Sequence, residues 1–543
     1  MPAGHGHSRR RGPLCYRCVL RTVAIDVAVL GLLAVPVIFL GLGDYSPMQM
    51  DEVFYHGVAR QMLASGDYLR VEFAGEFRPY DAFMNAPIHY WAKAALIALM
   101  GDSLWTMRLL SACFGLLTVW GVYALVRRFE SRRAGLLAAL LLLTTFQFVH
   151  LHGARNGDLE TLLSFGFVAA AALFLRGAEG RGGFVVHHLC IIAVAHLKLP
   201  LAGVIVAAEL VWFWLTPEAR PRLREWLRVG LLLLPVALAW RAYQAFAHPE
   251  AMAEVVGTMF GQASGSDELI GHRGTKRFGN ALYYGRVLLF GAFPHVLVFP
   301  IAVVAVLRAP RDAESAARWR LAALNVAAVL GFFLLVAKRF PWYVMPAYAF
   351  LCAFAGAWLD RLAGRRASPA VLVALGFAAA CALWIQMPGL GYDPFEMPPH
   401  RMPELGFANW WGVGAWLGLP LTAAVIAGGL LLWRGRAVAL GLAVLLLCVG
   451  GARVLAPLRF RNYESRLVAL RASVDLARER GEPLHNPLLY EKDPQEGGSL
   501  RVRYYFAEDF WVVPRRGATG RADVIELWDK TRGRPPRPGE EAP

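Results

Sequence analysis

Long uncharged apolar runs recur along nearly the whole of this 543-residue sequence, and every second gap between them is rich in arginine. A helix needs about 20 apolar residues to cross the hydrocarbon of a bilayer. Cations gathered in alternate short loops mark a chain threaded through that bilayer with fixed sidedness. Hydropathy predicts about thirteen spans, at 22–43, 104–126, 134–152, 158–176, 184–199, 200–216, 229–246, 281–307, 321–337, 341–359, 368–387, 412–433 and 437–457. With the N-terminus cytoplasmic, the cytoplasmic loops hold Arg127-Arg128 with Arg132-Arg133, Arg176 with Arg181, the runs at 220–228, 308–320 and 361–366, and Arg434 with Arg436. The same pattern disposes of a nucleic-acid partner. The formal charge of +16 is spread over short clusters between apolar spans rather than over one basic face.

The ends follow from this threading. Residues 1–21 are expected to be a cytoplasmic segment, and the apolar stretch after them runs too long, without a small-residue cleavage site, to be a signal peptide. An odd number of spans puts the outer loops at 44–103, 247–280 and 388–411, together with everything after 457. That tail has a helix-like stretch at 464–480 and strand-like pieces at 487–491, 501–506 and 510–513, which predicts a small α/β domain over 458–531 and a disordered end at 532–543. The expected whole is an all-α polytopic membrane protein with interfacial helices in its first outer loop and a small extracytoplasmic α/β domain. Seven scattered cysteines imply no disulfide framework, and Cys15-x-x-Cys18 lacks a second ligand pair.

Candidate chemistry lies at the outer edge. The first outer loop is too long for a mere connection. Asp51 and Glu52 open a predicted helix over 51–65, which Gly66 stops and whose Val53, Phe54, Val58, Met62 and Leu63 share a face. A first-turn acid favoured by the helix dipole is one reading of the pair; a base or cation site is the other. A second interfacial helix is predicted after Pro87, with Tyr90 and Trp91 in the headgroup zone. Asp158 and Glu160 enter a predicted span, where a carboxylate is costly unless paired or used, and Arg155 is a candidate partner. Lys198 interrupts two spans beside Pro200, and Lys338 with Arg339 precedes Pro341-Trp-Tyr343. All six lysines fall on the predicted outer side, as recognition of phosphate there would require. His272-Arg273 stands in a further outer loop, while His89 reads as interfacial rather than as a ligand.

These pieces, in this order and on this side, resemble the GT-C membrane glycosyltransferases. The nearest branch is that of the lipid A aminoarabinose transferases and the bacterial relatives of protein O-mannosyltransferases. The resemblance is carried by Asp51-Glu52 with Tyr55, Pro87-Ile-His-Tyr-Trp91, Ala154-Arg-Asn-Gly-Asp158, His196-Leu-Lys-Leu-Pro200, Gly271-His-Arg-Gly274 with Tyr283-Tyr284, and the stretch from Lys338 to Pro346. It implies sugar transfer from a polyprenyl-phosphate donor to a lipid or protein acceptor at the outer face of a bacterial inner membrane. Asp51 and Asp158 would be the catalytic acids, with Glu52 and Glu160 in support. Arg155, Lys198, Lys338, Tyr343 and Arg273 would serve the donor phosphate, and Asp51 with His272 would hold a divalent cation. Many relatives have Glu-Lys-Pro-Pro where this chain has Met84-Asn-Ala-Pro87, so donor identity and metal use cannot be carried over from them. A transporter or flippase of lipid-linked sugars is the alternative. It would place polar residues near the midplane, often in inverted repeats, whereas these lie at the outer rim.

Overall fold

A computed structural model describes residues 16–43, 50–73, 75–85, 87–264, 280–336 and 339–363, scattered positions from 441 to 474, and three later strands. The helices in chain order are α1 (Tyr16–Phe39), α2 (Met50–Ser65), α3 (Pro79–Met84), α4 (Ile88–Met100), α5 (Leu104–Phe129), α6 (Arg132–Leu143), α7 (Phe146–His150), α8 (Glu160–Ala178) and α9 (Val185–Leu197). They continue with α10 (Leu199–Leu215), α11 (Arg220–Ala247), α12 (Met252–Ser264), α13 (Asn280–Ala292), α14 (Phe299–Arg308), α15 (Ala313–Leu335) and α16 (Met345–Ala363). Among the described residues six helical segments are long and apolar enough to cross a membrane, and α4, α9, α10 and α14 are shorter apolar helices.

At the centre stands α16, buried along almost its whole length against α6, α8, α14 and α15. Small residues make this possible. A Cβ placed on Gly356 would lie 2.6 Å from the Ala134 carbonyl oxygen and 2.6 Å from the Ala138 nitrogen, so the α6 and α16 backbones are almost in contact. Close backbone approach through small residues is how helices gain packing where lipid offers no hydrophobic drive. The end of the bundle carrying the C-termini of α5 and α16 is clasped by ions. Buried Glu130 receives Arg361 at 2.6 and 2.8 Å and Arg311 at 2.7 Å, and Ser131 donates to Asp360 at 2.6 Å.

Several expected spans are broken. The stretch 134–152 is helical only to Leu143, because the Thr144 and Thr145 hydroxyls bond back to the Leu140 and Leu141 carbonyls and the chain then turns into short α7. The stretch 281–307 is α13 and α14 separated by a turn around Pro294, with Pro300 in the first turn of α14, where its missing N–H costs nothing. The break at Lys198 is as expected: its backbone is extended between α9 and α10. The predicted spans at 368–387 and 412–433 lie outside the described residues, as does most of 437–457.

Around the first outer loop the expected helices form. Gly66 ends α2 at φ 72°, and Val53, Val58 and Met62 are buried. Before α3, a two-stranded hairpin pairs β1 (Glu72–Phe73) with β2 (Glu76–Phe77). Tyr90 is fully buried rather than at a headgroup surface; Trp91 is exposed and donates from its indole to the Tyr68 carbonyl at 2.8 Å. In the tail, β3 (Leu488–Glu491), β4 (Phe510–Arg515) and β5 (Val524–Asp529) make an antiparallel sheet of order β3-β5-β4. The strand β5 was not expected, and the predicted helix at 464–480 lies almost wholly outside the described residues.

Candidate active site

At the opposite end of the bundle from the Glu130 clasp, the first turn of α2, the loop 151–159 and the turn before α16 converge. Adjacent residues on a helix project about 100° apart, and this separates the two acids of α2. Glu52 turns inward. Its carboxylate receives Arg108 of α5 at 3.1 and 3.3 Å and the Gly157 N–H at 3.0 Å, and Arg108 also donates to the Leu42 carbonyl at 2.8 Å. One buried ion pair thus ties α1, α2, α5 and the 151–159 loop together, and Glu52 belongs to that clamp rather than beside the reacting groups.

Asp51 faces the other way. Its side chain is 39% exposed and lies 3.8 Å from His152 Nδ1, while Asp158, wholly buried, lies 2.9 Å from the same nitrogen. Asp51, His152 and Asp158 each offer a ligand atom within 4.8 Å of the others. The 2.9 Å contact is not aligned as a hydrogen bond, so His152 Nδ1 and both Asp158 oxygens are buried polar atoms without a hydrogen-bond partner. Such atoms are costly to bury unsatisfied. One imidazole and two carboxylates form a donor set suited to a divalent cation such as Zn²⁺ or Mn²⁺, and the triad fits one. The loop lies between α7 and α8, outside the six helices long and apolar enough to span a membrane. Burial there pushes the Asp158 carboxyl up from its ordinary value, with nearby His152 opposing the rise. Burial works against a charged His152, but the carboxylates of Asp158, Asp51 and Glu160 together outweigh it and the imidazole is also held above its usual value.

Backbone geometry maintains this constellation. His152 adopts φ 53°, a left-handed conformation uncommon for a residue with a side chain. At Gly157 a Cβ would meet the Met107 carbonyl oxygen at 2.8 Å and the Glu52 Cβ at 3.0 Å, so only glycine lets the loop sit on the clamp. Gly157→Ala is expected to cost about 1–3 kcal/mol through overpacking and to lower activity together with thermal stability. Activity loss with an unshifted melting temperature would contradict that account.

Beside the triad, Lys198 Nζ lies 3.6 Å from Glu160 and 4.2 Å from the centre of the Tyr343 ring. Of the residues assigned to the donor phosphate, Lys198 and Tyr343 are therefore brought together at the site. Arg155 is not free for that role: it is buried, and its guanidinium donates to the Val37, Ile38 and Gly41 carbonyls, clasping the C-terminal end of α1. Lys338, His272 and Arg273 lie outside the described residues. Sequence reasoning missed His152 and Arg108. The signal for His152 was its place beside Gly153, two residues upstream of the Ala154-Arg-Asn-Gly-Asp158 stretch.

Known proteins resemble this chain in sequence and in fold. Residues 84–242 match the family model described as dolichyl-phosphate-mannose-protein mannosyltransferase. An undecaprenyl phosphate-alpha-4-amino-4-deoxy-L-arabinose arabinosyl transferase of Pseudomonas fluorescens is 25% identical over 429 residues, 73% of this chain and 68% of that one. An uncharacterized protein of Aquifex aeolicus is 28% identical over 232 residues, and the match spans 41% of this chain and only 45% of that protein. Among solved structures, ArnT from Cupriavidus metallidurans bound to undecaprenyl phosphate superposes with a TM-score of 0.60 at 21% identity, covering 88% of this chain and 84% of that one. The fold is that of ArnT. The chain resembles the GT-C membrane glycosyltransferases, and among them the lipid A aminoarabinose transferases.

Proposed function

We propose that the chain transfers a sugar from a polyprenyl-phosphate donor to a hydroxyl of a lipid or protein acceptor at the outer face of a bacterial inner membrane. The observation that carries this reading is the meeting of Asp51, His152 and Asp158 with the Lys198–Tyr343 pair at one end of an apolar helix bundle. The named relatives support it, since one is named for an undecaprenyl-phosphate sugar and one is bound to undecaprenyl phosphate. Asp51, the partly exposed acid, takes the proton of the acceptor hydroxyl as its oxygen bonds to the anomeric carbon. The bond from that carbon to the phosphate oxygen breaks, and Lys198 takes up charge on the departing lipid phosphate. Asp158 holds His152 and the electrostatics of the site. A divalent cation held by Asp51, His152 and Asp158 would supply Lewis-acid stabilisation of that leaving group. In this reading residues 22–457 form the catalytic membrane domain, residues 1–21 are cytoplasmic and residues 458–531 form a periplasmic domain.

The test is mass spectrometry of envelope lipids and proteins from cells lacking the chain. A missing hexose, pentose or aminosugar on one acceptor is expected, and unchanged glycans would overturn the proposal. For the cation, chelation of the purified protein is expected to suppress transfer and Mn²⁺ or Zn²⁺ to restore it; full activity after chelation would remove the metal from the scheme.

A further inference from the structure

The turn Pro341–Val344 places two consecutive aromatic residues against the two halves of the site. Tyr343 lies under Lys198. Trp342 stacks on the His152 ring with centroids 3.5 Å apart and planes 19° from parallel, and Phe340 stacks behind it at 4.5 Å and 19°. Among the described residues the polar contacts of the His152 ring are the two carboxylates, at 2.9 and 3.8 Å, and no aligned hydrogen bond holds it. A ring held at one nitrogen still turns about its own bond, and a left-handed backbone persists only where its surroundings over-determine it. The flat face of Trp342 supplies what the carboxylates do not, a fixed plane for the imidazole.

We infer that Trp342 is a positioning residue acting through His152, which it holds so that Nδ1 meets Asp158 and faces Asp51. This deepens the proposed function and rests on it for its effect on rate. Partners that orient such a group are worth about 10–100-fold when removed. In the full-length protein in detergent, Trp342→Leu, which keeps apolar bulk without a flat face, is therefore expected to lower kcat by about 10–100-fold with KM for the polyprenyl-phosphate donor unchanged. Trp342→Phe is expected to recover most of that loss. In a His152→Ala background, Trp342→Leu is expected to cost nothing further, since residues acting as one unit are not additive. Equal losses in both backgrounds would mean that Trp342 merely supports the fold, and would overturn the inference.

A second readout needs no activity. Diethyl pyrocarbonate modification of His152, followed by peptide mass spectrometry, is expected to be several-fold faster in Trp342→Leu than in wild type and near the wild-type rate in Trp342→Phe. Labelling of His152 that ignores the Trp342 side chain would also overturn the inference. The two failures are separable: wild-type protein that transfers no sugar counts against the function, while the labelling still decides the role of Trp342.

Discussion

Asp51→Asn is expected to lower sugar transfer by about 10²–10⁴-fold, the usual contribution of a positioned general base, while the protein melts as the wild type does. The two halves of that expectation have separate grounds. Asp51 is the partly exposed member of the triad, so an acceptor can reach it, and among the described residues its ion-pair partner is an imidazole at 3.8 Å rather than a clamping guanidinium. The amide keeps the size of the carboxylate and removes its basicity, leaving chemistry as the thing lost. Asp158→Asn is expected to abolish transfer to a similar degree by a different route. Its carboxylate lies 2.9 Å from His152 Nδ1, nearer than the Asp51 carboxylate at 3.8 Å, and it is wholly buried. Because both substitutions disable one constellation, the double variant is expected to be little worse than either single one. Transfer assayed with purified protein, alongside a thermal melt, checks all three. A variant with either substitution that keeps a tenth or more of the wild-type rate would remove that acid from the mechanism.

Much of this site was legible in the sequence because the bilayer makes carboxylates conspicuous. Asp51 and Asp158 stood at the edges of apolar runs, where an unused charge is expensive, and the arginine-rich loops assigned them to one side. Lys198 was visible as a break because its charge interrupts an apolar stretch and Pro200, two residues on, suits the first turn of a new helix. His152 was hidden at the end of a predicted span. What makes it matter is a reversal of the backbone at φ 53° and a tryptophan 190 positions further along the chain, neither of which leaves a periodic trace. Arg108 lay inside a predicted span, and its buried partner is 56 residues away. Arg155 shows the converse. Its place in the motif suggested the donor phosphate, but the carbonyls at the end of α1 had a prior claim on it. The spans at 134–152 and 281–307 were misread because hydropathy sums apolar character and is indifferent to threonine hydroxyls that unwind a turn or to a proline that starts a new helix.

Arg108→Ala is expected to destabilise the protein by about 3–5 kcal/mol, the cost of breaking one side of a buried ion pair. Removing the guanidinium leaves Glu52 charged and dry, and deprives the Leu42 carbonyl of its donor at 2.8 Å. Glu52→Gln is expected to be milder but of the same sign. The amide oxygen can still accept the Gly157 N–H, which the wild-type carboxylate receives at 3.0 Å, while Arg108 loses its counter-charge. Replacing both partners with apolar residues should be less damaging than the sum of the single changes, because no uncompensated charge then remains in the interior. Fluorescence-detected size exclusion and thermal melts in detergent measure these differences without an assay for transfer. The comparison that matters is between neighbours: Asp51→Asn should leave the melting temperature in place and remove the chemistry, and Glu52→Gln should lower the melting temperature and reduce transfer only as far as folded protein is lost. Equal melting losses in the two variants would erase the division of labour that the 100° turn between them creates, and with it the assignment of Asp51 as the acid that faces substrate.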